Sequence, residues 1–390
     1  MRWLRGALPL ATAAAVAGAL AVGSADGSSA SCALVASPKG SDQHVGSVRR
    51  PFRTAQKLVD ALKAGETGCL MGGAYDLARG RSGSQLKFNH GGSSDAPITL
   101  RSYPGQTATL TGGPVYVPAW ANHVTITDLN IDTRGAGEVG VQIMGAGDQL
   151  TNNDITNEDT PGSCIILGSD TGYGRAAHPL VEGNIVHQCG YNPGDPFEDH
   201  GIYVDNAIGA VVSGNIFWGM AYGFAVQLYP DAQGTQVTHN VIDDNANGVV
   251  FGGNAASTSS NNVVAGNIIS GSTNEYDIQG SWQGTAGTGN VAENNCVSSG
   301  NQGNVSPENG FAGVGNISAD PAFVNEAAHT IAGYELQPGS ACLGVVGSDA
   351  AAALAAARQS LAQPAAGGPA NPAPVMNGSP TAQPTSARAR

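Results

Sequence analysis

One short phrase, repeated, constrains this chain more than any other feature. An aliphatic residue, two variable residues and an asparagine, mostly followed by an aliphatic pair, run from Leu150 to Asn153, Val181 to Asn184, Val212 to Asn215, Val237 to Asn240, Val264 to Asn267 and Val291 to Asn294. The marker asparagines are 31, 31, 25, 27 and 27 residues apart, with an earlier copy over Ile126–Asn130. Between markers lies a second short run bounded by Gly or Asn: Gly140–Ile143, Cys164–Leu167, Gly201–Val204, Gly223–Val226, Gly248–Phe251 and Tyr276–Gln279. Such runs read as strands. A propeller blade needs four strands in about 40 residues, whereas each repeat here offers two or three in fewer. The pattern predicts an all-β solenoid, a parallel β-helix in which each repeat is one coil and coils stack at the ~4.8 Å strand spacing. Stacked asparagines then bond the amides above and below them, a structural role.

Composition agrees. The 390 residues include 56 Gly, and only 12% are charged, which argues against helical bundles. The formal charge of −13 excludes nucleic acid as a natural partner. Arg2 and Arg5 precede an apolar run from Ala7 to Val22, and small residues follow, so residues 1–30 read as an export signal with no membrane span left after its removal. The body, 31–349, contains all six cysteines, an even number that fits an oxidising, extracellular location. Pairing of sequence neighbours (Cys32–Cys69, Cys164–Cys189, Cys296–Cys342) is one of about fifteen connectivities. Residues 350–390 are rich in Ala and Pro and read as a disordered tail, with an Ala-rich helical stretch over Val345–Ala357 leading into it. Open β-helix edges need covers. Phe52, Ala55, Leu58, Val59 and Leu62 have helical spacing and form an N-terminal capping helix over 51–64, while 320–347 is expected to cover the last coil.

On these residues the chain resembles the right-handed parallel β-helix superfamily, the pectate-lyase-like fold. Val35–Asp42, Pro51–Gln56 and Ala64–Leu70 resemble the segment leading to the cap and first coil, Ala96–Gly105 a first-coil phrase, and Asp320–Phe323 with Tyr334–Ser340 the exit segment. The resemblance implies fold far more than chemistry, because lyases, hydrolases, epimerases and non-catalytic adhesins share it.

Strand alternation places Ile202 and Val204 inward and His200, Tyr203 and Asp205 outward. With Gly223 aligned on Gly201, His200, Tyr222 and Asn247 share one outward column, and Asp205 and Gln227 another. Aromatic rings beside hydrogen-bonding groups suit a sugar, so Tyr222, Gln227, Tyr229 and Asn247 are candidate substrate contacts. The two longer repeats place their extra residues in Gly168–His178 and Cys189–Asp199, expected to wall one groove beside His200. Arg175 is the lone Lys or Arg between Arg134 and Arg358. It is the candidate carboxylate ligand or base, with His200 and Tyr203 as the proton-transfer groups. Asp199 and Asp205 orient His200 or bind calcium; Asp195 and Glu198 complete a carboxylate-rich coil open to hydrolase chemistry. Asp231 reads as a turn residue, as does the Asp243–Asp244 pair. His187, Trp218, Asp243 and Ser270 form another column, three residues after each marker, and Trp218 reads as a packed corner.

The resulting expectation is a secreted monomer that acts on a carbohydrate polymer, as a lyase on a uronic-acid polysaccharide. The alternatives are a non-catalytic glycan- or wall-binding solenoid, and a glycoside hydrolase or epimerase on the same scaffold.

Overall fold

Every coil is built from very short, β-branched strands that cannot stand alone, so stability comes from stacking. The computed structural model describes residues 31–344, apart from 80–84, 138, 170, 171, 196, 283 and 308. The export signal, the Ala-rich stretch from Val345 and the tail lie outside the described residues. A representative coil runs through Leu180–Glu182, Ile185–His187 and Ile202–Ile208 before Val211–Ser213 begins the next. These segments belong to three parallel sheets of 11, 10 and 10 strands, and strands pair with those one coil earlier and later. We call them the first, second and third sheets, in the order the chain enters them within a coil. The architecture is a right-handed parallel β-solenoid, as the repeat predicts.

Register makes the core a set of columns. Ile126, Leu150, Val181, Val212, Val237 and Val264 are paired in successive strands of the first sheet, and none is exposed. The asparagine corner follows. Asn240 Oδ1 accepts from both the backbone N–H of Asn215 (2.9 Å) and its Nδ2 (3.0 Å), while Asn240 Nδ2 donates to Val212 O and Asn267 Oδ1, each at 2.9 Å. The same pattern links Asn153 to Asn184, Asn184 to Asn215, Asn267 to Asn295, and Asn295 to Asn316.

Two marker positions are corrected. Val264 pairs with Ala292 rather than Val291, so the ladder residue is Asn295. Asn294 is exposed with φ +52°, a left-handed conformation that Asn tolerates. At the earlier copy, Leu129 takes the ladder place, donating its N–H to Asn153 Oδ1 (3.1 Å), and Asn130 is exposed.

The capping helix is shorter than the 51–64 expected: Ala55–Ala61, with Thr54 as N-cap accepting from the Lys57 N–H (3.1 Å). Leu58 and Leu62 lie over Gly68 in the first coil, where a Cβ would sit 2.9 Å from Leu62 Cδ1. The exit segment departs from expectation. Instead of covering only the last coil, it lies back along the outside of the second sheet. Phe323, Tyr334 and Cys342 pack on Ile185, Ile216, Val241, Ile268 and Cys296. Those five residues immediately follow the ladder asparagines and face outward, so the second sheet has an apolar exterior that needs a cover. His187, Trp218, Asp243 and Ser270 do form one column. Trp218 is packed between His187 (4.6 Å) and His329 of the exit segment (4.2 Å), both rings nearly parallel to it.

Three disulfides join Cys32–Cys69, Cys164–Cys189 and Cys296–Cys342, the sequence-neighbour pairing. Among the described residues no helix is long and apolar enough to cross a membrane.

Candidate functional site

The third sheet positions most of the candidate residues. In the strand Ile202–Ile208, Ile202 and Val204 are fully buried in the core and Tyr203 points out, half-buried. Its outward column is set by register: Tyr203 pairs with Gln227 and Gln227 with Val250. Gly201 therefore aligns with Ala225, two residues beyond the alignment expected on Gly223. A shift of two preserves which side chains face out but changes their neighbours.

The two long loops do not wall a common groove beside His200. Gly168–His178 follows the third-sheet strand Ser163–Leu167, whereas Cys189–Asp199 precedes Ile202–Ile208, so they flank opposite ends of the sheet. Ala176–Ala177 pairs with Ala207–Ile208, which puts Arg175 beside Asn206. That is six positions along the strand from His200, about 20 Å at the usual rise per residue. Arg175 instead forms an ion pair with Asp231 (3.4 Å) in an open groove of about 570 Å³ lined also by Ile208, Gln233 and Asn261.

His200 directly follows the Cys189–Asp199 loop and is 5% exposed. Its Nδ1 accepts the Phe224 N–H (3.1 Å), its backbone N–H donates to Ser163 Oγ (2.9 Å), and its ring packs on Tyr203 and Phe224. Burial pushes its pKa down to about 3, although the adjacent Gln227 carboxamide pulls the other way. His200 is thus a neutral strut, which corrects its expected place in an open cleft. Asn247 and Gln227 are likewise buried (0% and 2% exposed), and Asn247 Nδ2 donates to Gly223 O (2.6 Å), so neither side chain meets a polymer outside.

The two carboxylates of the calcium expectation lie at different places on the coil. Asp199 ends the loop with φ +70°, while Asp205 is buried in the middle of the strand. Among the described residues no group of three or more His, Cys, Asp or Glu side chains could hold a metal.

What the structure does bring together is aromatic. Tyr203 stacks on Tyr229 (6.4 Å between centroids, 18° between planes), and Tyr222 meets Tyr191 edge-on (5.3 Å). All but Tyr191, which is exposed, are half-buried. Asp231, read from sequence as a turn residue, lies on the same strand as Tyr229, Val226–Gln233. The register shifts there, and Asn206 opposes Asp231. Pro230 between them masks a continuing strand, because Pro normally signals a strand's edge or end.

A sequence profile described as a right-handed beta helix region matches residues 119–297. A protein of Bacillus subtilis strain 168, "Uncharacterized protein YwoF", is 27% identical over 135 residues, 31% of this chain and 27% of that protein. "Pectate lyase PEL9" of Emericella nidulans is 33% identical over 79 residues, 20% of this chain and 18% of that one. The chain thus spans about a quarter or less of these relatives' length. The crystal structure of pectate lyase Pel9A superposes with a TM-score of 0.53 at 14% identity, covering 80% of this chain and 91% of that one, a likeness of fold. The ladder, the three stacked sheets and these matches give the chain the right-handed parallel β-helix fold, like that of pectate lyase Pel9A.

Proposed function

We propose that this chain is a secreted protein that acts on a uronic-acid polysaccharide by β-elimination, gripping the polymer along the outer face of the third sheet. The observation that carries the reading is the Tyr203–Tyr229 ring pair, whose Tyr229 shares the strand Val226–Gln233 with Asp231, the ion-pair partner of Arg175. The rings supply apolar platforms for sugar faces. Arg175 supplies a planar guanidinium fork for a carboxylate. In the elimination, the proton α to the uronate carboxylate is removed, the bond to the leaving glycosidic oxygen breaks, a C=C bond forms and the oxygen takes up a proton. Charge develops on the carboxylate, where Arg175 stabilises it. Tyr203 is the proton-transfer group retained from the sequence reading, and His200 is not. The partner is therefore an acidic polysaccharide, and the disulfides fit an extracellular location.

The test is a panel of uronic-acid polysaccharides followed by ultraviolet absorbance of unsaturated ends. The reading expects product from at least one polymer, and a loss of about a hundredfold or more in rate with Arg175→Ala. No unsaturated product from any polymer, with reducing ends released from neutral glycans, would replace it with a hydrolase. Burial of His200, the one imidazole near the rings, favours a second reading as a non-catalytic glycan-binding solenoid. That reading expects the polymer to be retained without turnover and His200→Ala to leave retention unchanged.

A further inference from the structure

Toward the N-terminal coils, the same side of the molecule carries two aromatic residues that the fold leaves open. Trp120 is 60% exposed and Tyr173 is 75% exposed, far more than the half-buried Tyr203 and Tyr229. They are far apart in sequence but adjacent in the fold. Trp120 follows Ala119, Tyr173 precedes Gly174, and a Cβ on Gly174 would lie 2.6 Å from the Ala119 Cβ. The missing side chain thus lets the long loop settle on the corner that carries Trp120. One ring has a cation over it, and the other has one nearby in the chain. Lys87 Nζ lies 4.9 Å from the centre of the Trp120 ring, and Arg175 is two residues beyond Tyr173.

In a chain of net charge −13 this pairing of open rings with cations is selective. A flat ring offers a face to a pyranose, and a cation at its rim offers an anchor for a carboxylate. From Lys87 to the coil of Arg175 is three strand spacings, about 14 Å, so the patch takes more than one sugar. We infer that Trp120 and Tyr173, with Lys87 beside Trp120, form a further binding subsite for an acidic polysaccharide, which carries the polymer on from the Arg175–Asp231 groove toward Lys87. This subsite rests on the acidic-polysaccharide reading above, and it adds that recognition depends on chain length.

Binding of short and long uronic-acid oligosaccharides, measured by calorimetry, tests it. Trp120→Ala, Tyr173→Ala and Lys87→Gln change exposed or half-buried side chains, and each should weaken the long oligosaccharide about tenfold while leaving the shortest unchanged. Tyr229→Ala should weaken both. A second readout is tryptophan fluorescence. A long oligosaccharide should protect the protein from acrylamide quenching, and the protected fraction should vanish in Trp120→Ala. If the three variants bind every length as the unaltered protein does, while Tyr229→Ala does not, the subsite is wrong and the proposed function stands. If the unaltered protein binds no acidic oligosaccharide, both fall. Equal loss with neutral oligosaccharides would also overturn the subsite, since it would remove the role of the cations.

Discussion

Replacing Asn240 with Ala tests the ladder on which every other position depends. The side chain takes part in four hydrogen bonds, accepting from Asn215 N and Nδ2 and donating to Val212 O and Asn267 Oδ1. Its removal does not orphan Asn267 Oδ1, which still accepts the backbone N–H of residue 240. It does leave the Asn215 N–H, one Asn215 amide hydrogen and the Val212 carbonyl without these partners in a site where neither Asn215 nor Asn240 is exposed at all. At about 1–3 kcal/mol for each buried unsatisfied group, and allowing for partial relaxation, the expected loss is about 3–6 kcal/mol. That is a large share of a typical domain's stability. Urea unfolding followed by far-ultraviolet circular dichroism measures it, with the slope checked for loss of cooperativity along the solenoid. Asn294→Ala is the matched control, since this exposed neighbour lies outside the ladder and should cost about 1 kcal/mol or less. A cost below about 1 kcal/mol for Asn240→Ala, or an equal cost for the two variants, would refute the reasoning.

Three further outcomes follow from buried groups. Burial raises the Asp277 pKa from 3.8 to about 7, with Ser272 and the Ser298 backbone partly opposing it. Its contribution is therefore complete below 3.8 and is lost as pH rises through 7; Asp277→Asn should raise the thermal midpoint near pH 8 and change it little near pH 4. His200 has the opposite sign, since its pKa falls from 6.5 to about 3. The unfolded chain binds the extra proton between those values, so stability drops as pH falls below 6.5, and His200→Gln should flatten that slope in denaturation curves taken across it. The Cys164–Cys189 disulfide closes a separation of 25 residues. Replacing both with Ala should cost about 3 kcal/mol and speed hydrogen exchange across Cys189–Asp199; unchanged exchange there would show that other contacts hold the loop.

The parts of this fold that were legible in the sequence are those tied to a polar residue with one buried role. Asn153, Asn184, Asn215, Asn240 and Asn267 mark their coils because one short carboxamide both accepts from the coil before and donates to the coil after. At Asn294 and Asn295 the doublet offered two registers, and only pairing across the strands chooses between them. The third sheet has no such marker. Its runs are apolar and Gly-bounded, and sliding Gly201 from Gly223 to Ala225 keeps the inward set apolar, so the two alignments are equivalent by pattern. The exit segment's path did leave a signal. Two aliphatic residues follow most ladder asparagines, and in a strand one of two must face out. Ile185, Ile216, Val241 and Ile268 are the outward members, and Phe323 and Tyr334 cover them.

The candidate site shows why chemistry is harder to read than architecture in a solenoid. Marker spacing counts the residues in a coil but not the corner at which extra residues emerge. Extra residues after the third-sheet strand, within Gly168–His178, and extra residues before it, within Cys189–Asp199, lengthen their repeats alike, to 31. The first insertion delivers Arg175 to Asp231; the second leads into His200, which is buried against Tyr203 and Phe224. A desolvated imidazole whose Nδ1 already accepts a backbone N–H cannot exchange protons with a substrate near neutral pH. Under the proposed function, chemistry on this face therefore runs through groups that solvent reaches between those two corners: the Tyr203–Tyr229 pair and the Arg175–Asp231 groove. If His200→Gln folded normally yet lost turnover, with binding and pH profile otherwise unchanged, that inference from burial would be wrong.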